Sequence, residues 1–187
     1  PQHPTLLRRQ RQMCIRDSGT AIVVCAAAKN ALLVASKQFD DIKIVSTGGG
    51  AAGIACLNML VKLGVKKKNI WLCDINGLVY EGRTTDMNAE KAAFAQKTDL
   101  RSLDEVIENA DMFLGLSGPN ILTSSMIKKM GAKPIIFALA NPSPEVMPDI
   151  ARKAASDAII ATGRSDFPNQ VNNCLLYTSP SPRDYGT

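Results

Sequence analysis

Six consecutive residues, Gly48-Gly49-Gly50-Ala51-Ala52-Gly53, carry the densest chemistry in this sequence. They satisfy Gly-x-Gly-x-x-Gly and follow Ile42 to Ser46, an apolar run that reads as a strand. In that setting each glycine has its own task. Gly48 makes the tight turn out of the strand, Gly50 leaves the backbone bare where a pyrophosphate approaches, and Gly53 lets the next helix pack close to the sheet. Ala51 and Ala52 open that helix, so their backbone N–H groups and the positive end of its dipole converge on one place. Glycine clusters also mark ordinary turns, so the pattern decides little by itself.

Asp74 adds to it. It ends the next apolar run, 21 residues beyond Gly53, where a carboxylate accepts hydrogen bonds from both hydroxyls of an adenosine ribose. The competing reading is a carboxylate that caps the turn before Asn76-Gly77. A carboxylate at this point also repels the 2′-phosphate of NADP unless a cation neutralises it. Ile75 and Asn76 supply none and Arg83 lies nine positions on, so NAD is the expected cofactor and NADP the alternative.

Positioning these residues requires a sheet. Ile42 to Ser46, Ile70 to Asp74, Met112 to Leu116, Ile135 to Leu139 and Ala158 to Ala161 are short runs rich in Ile, Val and Leu, as expected of strands buried on both faces. Helical spacing separates them. Ala51 to Leu63 puts Ile54, Leu57, Leu60 and Val61 on one stripe, and Ser102 with Glu105 opens Ser102 to Asn109 as a capping box. Weaker helices are expected at Met126 to Met130 and Pro144 to Ala155, and an Ala-rich helix from Thr20 to about Lys37 precedes the first strand. Strand and helix in alternation predict an α/β fold, a doubly wound (Rossmann-type) parallel sheet in a single domain. Ser117-Gly118-Pro119 and Ala140-Asn141-Pro142 are then small polar turns at the carboxyl edge, where ligands of this architecture bind.

The ends differ. Residues 1–17 show no sustained period and residues 174–187 are rich in Ser and Pro. MCIRDS and CLLYTSPSPRD resemble translated sequencing-adapter read-through, so both ends are set aside as non-native or disordered tails, leaving 18–173 as the dinucleotide-binding domain. Of the net charge of +5, the front tail contributes Arg8, Arg9, Arg11 and Arg16 against Asp17, so the middle is nearly neutral. Lys66, Lys67 and Lys68 are its one basic run, without interleaved aromatics, which argues for a solvated turn and against a nucleic-acid partner. The uncharged run Ala21 to Ala28 is short of the ~20 residues that span a bilayer. No membrane partner and a cytoplasmic location are expected. The five cysteines form no Cys-x-x-Cys pair, so neither disulfides nor zinc are expected.

Gly19-Thr20-Ala21, STGGGAAGIAC, CDINGLVYEGR, DMFLGLSGP, FALANP and ATGRSDFPNQVNN closely resemble, in order over residues 19–173, the NAD(P)-binding half of bacterial-type malic enzymes. The resemblance implies an oxidoreductase that oxidises malate at C2 by hydride transfer to NAD or NADP. It then loses the adjacent carboxylate and releases pyruvate, with Mg or Mn polarising the C2 oxygen. It also implies substrate binding by Asn141 and Asn173, with Asn141 beside the nicotinamide as well, and a homo-oligomer at full length. For both asparagines the competing role is to hold a turn, ahead of Pro142 or after Val171.

Departures limit the carry-over. Where the family places a metal-ligating Asp three positions before Gly19 stands Arg16, and Asp17 is one residue out of register. The other metal carboxylates, the general-acid Tyr and the general-base Lys belong to an upstream region outside this sequence. No catalytic or metal-ligating residue is therefore assigned, and the chain is expected to be inactive alone. Phe167 stands where relatives usually show Tyr, and nothing in the sequence explains it. Two alternatives remain. One is the cofactor domain of another NAD(P)-dependent dehydrogenase, acting on amino acids or tetrahydrofolate, against which FALANP and PNQVNN count. The other is a non-catalytic nucleotide-binding module.

Overall fold

The computed structural model describes the backbone of residues 4–172 and 175 and the side chains of residues 18–172 and 175. The apolar runs become β1 (Ile44–Thr47), β2 (Ile70–Asp74), a two-residue β3 (Gly77–Leu78), β4 (Met112–Gly115), β5 (Ile135–Ala138) and β6 (Ile159–Thr162). They form one sheet in the order β3-β2-β1-β4-β5-β6, parallel throughout except for the antiparallel β3. The order reverses between β1 and β4, which is the switch point where such sheets bind ligands.

Alternation along each strand divides the core between two faces. Ile44, Ile70, Leu72, Met112, Leu114, Ile135 and Phe137 join one cluster, with α1 (Pro4–Ala35) and α2 (Ala51–Lys62) over them. Val45, Cys73, Phe113, Ile136 and Ile160 join the other, under α4 (Leu103–Val106), α5 (Ser124–Lys129) and α6 (Pro148–Ala154). Both faces are covered, so the strands read as unbroken apolar runs. Ser102 and Glu105 form the expected capping box at α4. A short α3 (Ala89–Ala92), capped by Asn88, was not legible because four residues carry no period.

The first helix departs from expectation. It begins at Pro4, so residues 4–17, expected to form no element, continue it as backbone. Its physical basis is propensity: Leu, Arg, Gln and Met are good helix formers, and Pro4 suits a first helical position. Ser18–Ala35 is long and apolar enough to cross a membrane by length and composition. One side of it, with Ala21, Val24, Ala28, Leu32 and Ala35, is buried in the core, while Ile22, Leu33 and Val34 are exposed. Cys25, Cys56 and Cys73 are buried thiols outside any disulfide. Burial pushes the Cys25 thiol up to about 11 and the Cys73 thiol up to about 12, which makes both poor nucleophiles.

Candidate dinucleotide site

The three fingerprint glycines divide their work as their spacing predicts. Gly48 leaves β1 at φ +108, and a Cβ on it would collide with the Leu116 carbonyl oxygen at the exit of β4. A Cβ on Gly53 would collide with the Gly48 carbonyl oxygen, so only glycine lets α2 start this close to the strand. Gly50 differs from both. It is the exposed N-cap of α2, with φ −80 and ψ 178, and a Cβ there would meet nothing within 4 Å. No side chain caps α2, so its first N–H groups face that open space beside Ala51 and Ala52. A bare N-terminus with unclaimed donors is suited to a phosphate.

Asp74 stands at the end of β2, with its carboxylate fully engaged. Oδ1 accepts from Asn76 N at 2.9 Å and from Arg83 Nη2 at 2.8 Å. Oδ2 accepts from the same Arg83 Nη2 at 2.7 Å and from Lys91 Nζ at 2.9 Å. A carboxylate has about four acceptor positions, so a ribose hydroxyl must displace one of these donors. Arg83 is held further by the Thr85, Gly77 and Leu78 carbonyls, and Lys91 by Asp86 at 2.6 Å. Lys91 also explains Gly49, since a Cβ at Gly49 would stand 2.8 Å from Lys91 Cε. Asp74 therefore does not face an incoming 2′-phosphate as a bare charge. The expected preference for NAD loses its ground, because two cations neutralise the carboxylate on which it rested.

Burial by itself raises the Asp74 carboxyl, but the hydrogen bonds from Arg83, Lys91 and Asn76 outweigh it and hold the group below its ordinary range. The unfolded chain thus binds this proton more readily than the folded one. The stability Asp74 contributes is full above the unfolded value of about 3.9 and is lost as pH falls through the lower folded value. Over urea midpoints taken from pH 7 to pH 3, the gap between wild type and Asp74→Asn is expected to hold down to about pH 4 and to narrow below it. A gap that stays constant over that range would contradict the assignment.

Beside Gly48 and Asp74 opens a cleft of about 740 Å³, lined also by Thr47, Ile75, Ser117 and Gly118 among others. Its size suits part of a dinucleotide. Ile75 is 95% exposed, an isolated large apolar side chain next to Asp74 at the mouth of the cleft. Sequence reasoning passed over it as a residue lacking charge.

On the other side of the switch point, the turns after β4 and β5 are tied by Glu145. Its carboxylate is completely buried and accepts from Ser117 N and Ala140 N, each at 3.0 Å. Burial raises its pKa against the pull of those two amides. Asn141 is exposed in the second turn, where a cis peptide joins it to Pro142, and its Nδ2 points back toward the Leu139 carbonyl at 3.5 Å. Arg164 Nη1 donates to the Pro142 carbonyl at 3.0 Å, which brings the 163–169 loop against this turn. Asn172 Nδ2 donates to the Gly163 carbonyl at 2.9 Å, a turn-holding bond. Asn173 lies outside the described residues. Phe167 sits 5.2 Å from the Arg164 guanidinium, which does not explain why Phe stands there.

The structure thus brings Gly48, Gly50, Ala51, Ala52, Gly53 and Asp74 together at one edge, with Asn141 on the same edge two strands away. Lys91 and Glu145 were missed in the sequence. Among the described residues no group of three His, Cys, Asp or Glu is placed to hold a metal ion.

Comparison with known proteins accords with this geometry. The family profile described as "Malic enzyme, NAD binding domain" matches residues 18–179. The NADP-dependent malic enzyme of Escherichia coli is 54% identical over 160 residues, which are 85% of this chain and 21% of that protein. The NAD-dependent malic enzyme of Rhizobium meliloti is 54% identical over 159 residues, again 85% of this chain and 21% of that protein. The chain therefore spans about a fifth of these curated relatives. The solved NAD-dependent malic enzyme of Thermotoga maritima superposes with a TM-score of 0.79 at 44% identity, covering 86% of this chain and 43% of that one. A sheet with its switch point at β1, a glycine cradle at α2 and relatives of one kind lead to a single statement: the chain belongs to the malic enzyme family, as its NAD-binding domain.

Proposed function

We propose that the chain supplies the dinucleotide half of an enzyme that oxidises malate and decarboxylates it to pyruvate with NAD or NADP. The observation that carries the dinucleotide part is Gly50, and the malate part is supported by the malic enzymes that the chain resembles. The one fingerprint glycine whose Cβ would meet nothing is the one that must leave room for a pyrophosphate. A dinucleotide held by Gly48, Gly50, Ala51, Ala52 and Asp74 would supply the hydride acceptor for C2 of the substrate. The chain's own residues bind and orient. The α2 N–H groups hold phosphate, Asp74 and its cations receive the adenosine ribose, and Asn141 offers its amide near the substrate end. Arg83 and Lys91 support acceptance of NADP as well as NAD, since together they neutralise the carboxylate that would otherwise repel a 2′-phosphate.

Two results follow. The chain alone is expected to give no malate-dependent reduction of NAD or NADP, with or without Mn, because the hydroxyl proton has no assigned acceptor. A chimera in which residues 19–172 replace the matching segment of the Escherichia coli relative is expected to restore turnover. A folded chimera that binds the dinucleotide but leaves malate untouched would contradict the substrate assignment. Turnover by the chain alone, in a preparation free of host enzyme, would contradict the division of labour.

A further inference from the structure

Glu145 is the one fully buried acidic residue among the described residues, and dinucleotide binding as proposed makes no use of it. Its residue exposure is zero, and it lies beneath the edge where β4 and β5 end. Space is made for it. A Cβ on Gly115, the last residue of β4, would collide with the Glu145 carboxyl carbon and stand 2.6 Å from its Oε1. The carboxylate spans two chain segments, one oxygen on the Ser117 amide and the other on the Ala140 amide. The backbone around it adds to the same joint. Leu122 N donates to the Glu145 carbonyl at 3.1 Å and Asn120 N to the Pro144 carbonyl at 3.2 Å. The Ser117–Leu122 loop and the Ala140–Glu145 loop are thereby locked edge to edge.

The joint's position gives it consequences for binding. The fingerprint sets the pyrophosphate over β1, and Asp74 on β2 sets the adenosine to one side of it. The other nucleotide must then extend over the ends of β4 and β5, where the Glu145-bonded amides lie. Ala140 immediately precedes Asn141, and Ser117 Oγ meets Thr47 Oγ1 at 3.0 Å beside the fingerprint. Apolar packing could close the core here at lower desolvation cost than a carboxylate. What the carboxylate adds is a fixed spacing between two turns, because both of its oxygens must find their N–H at once.

We propose that Glu145 is a positioning residue for the nicotinamide half of the dinucleotide, its carboxylate clamping the Ser117 and Ala140 amides so that the turn bearing Asn141 keeps one distance from the fingerprint. This rests on the dinucleotide reading, which a wild-type titration tests first. Glu145→Gln preserves shape and one acceptor but turns an NH2 toward the other amide, so one turn is released. Glu145→Asp keeps the charge and is one methylene too short to reach both amides.

The test is titration calorimetry of the chain with NAD and, separately, with ADP, which contains the adenosine and pyrophosphate but no nicotinamide nucleotide. Circular dichroism and a thermal midpoint accompany each protein. In folded Glu145→Gln, affinity for NAD is expected to fall about tenfold while that for ADP changes less than twofold, and Glu145→Asp is expected to show the same split. Equal loss for NAD and ADP would make Glu145 a general structural residue and overturn the proposal. So would unchanged NAD affinity in either folded variant, or failure of both variants to fold. Wild-type chain that binds neither ligand would be a different failure, of the dinucleotide reading itself, visible before any variant is made.

Discussion

Gly50→Val is expected to abolish dinucleotide binding, lowering affinity for NAD and NADP by about 100-fold or more, roughly 2.7 kcal/mol. The protein should stay folded. The backbone at Gly50 is extended, at φ −80 and ψ 178, which a branched residue adopts readily, and the added Cβ meets no atom of the chain. The cost to the fold is that of a poorer helix cap, roughly 1 kcal/mol, or a few degrees in the midpoint for a domain of this size. The effect on binding is larger because the side chain stands at the α2 N–H groups that a phosphate must reach. Gly53→Ala provides the contrast. Its Cβ would strike the Gly48 carbonyl oxygen, so the fold itself should suffer. Calorimetry with both dinucleotides and a thermal melt on each variant separate the two glycines. Folded Gly50→Val protein with wild-type affinity would return the fingerprint to the status of a turn.

Asp74→Asn should cost more stability than Gly50→Val. The Arg83, Asp74 and Lys91 side chains are only 3%, 6% and 8% exposed, so the substitution leaves two buried cations short of their shared anion. Removing one member of a buried ion pair costs about 3 to 5 kcal/mol. Here the lower end applies, because Lys91 keeps Asp86 and Arg83 keeps three carbonyls. About 3 kcal/mol corresponds to a midpoint lowered by roughly 6 to 12 °C. Among molecules that remain folded, the two cations lose the anion between them and favour a 2′-phosphate by their uncompensated charge, so the ratio of NADP to NAD affinity should rise about tenfold. Guanidinium melts and paired titrations measure both effects. A stable Asp74→Asn protein whose affinity ratio is unchanged would show that the cluster neither braces the fold nor faces the adenosine ribose.

What could be read in advance, and what could not, follows from the range of each interaction. The strands were legible because both faces of the sheet are covered, which makes Ile70–Asp74 and Ile135–Ala138 nearly unbroken apolar runs. The glycine cradle was legible because its six positions are contiguous and each has one steric task. Asp74 was placed correctly at a strand end, but its partners were not. Arg83 was weighed only as a distant cation, and Lys91 sits in an Asn-Ala-Glu-Lys-Ala stretch too short to show a period. Only the return of the chain from β3 to α3 brings Lys91 Nζ onto the carboxylate. Glu145 was hidden for a similar reason. In sequence it is a charge near the start of the helix expected over Pro144 to Ala155, and its counterpart is an absent side chain thirty positions earlier, at Gly115. The length of α1 was misjudged because helix propensity can carry a segment that shows no burial period.

The central claim concerns place, a dinucleotide seated on the α2 N-terminus at the switch point between β1 and β4. Backbone amide shifts of the isotopically labelled chain, followed as NAD is added, address it without any substitution. The largest saturable shifts are predicted at Gly48, Gly50, Ala51 and Ala52, with smaller ones at Ile75 and Asn76 and at Ser117 and Gly118. Saturable shifts confined to the opposite edge, around β6 and the exposed side of α1, or no shifts in a folded protein at millimolar NAD, would contradict it.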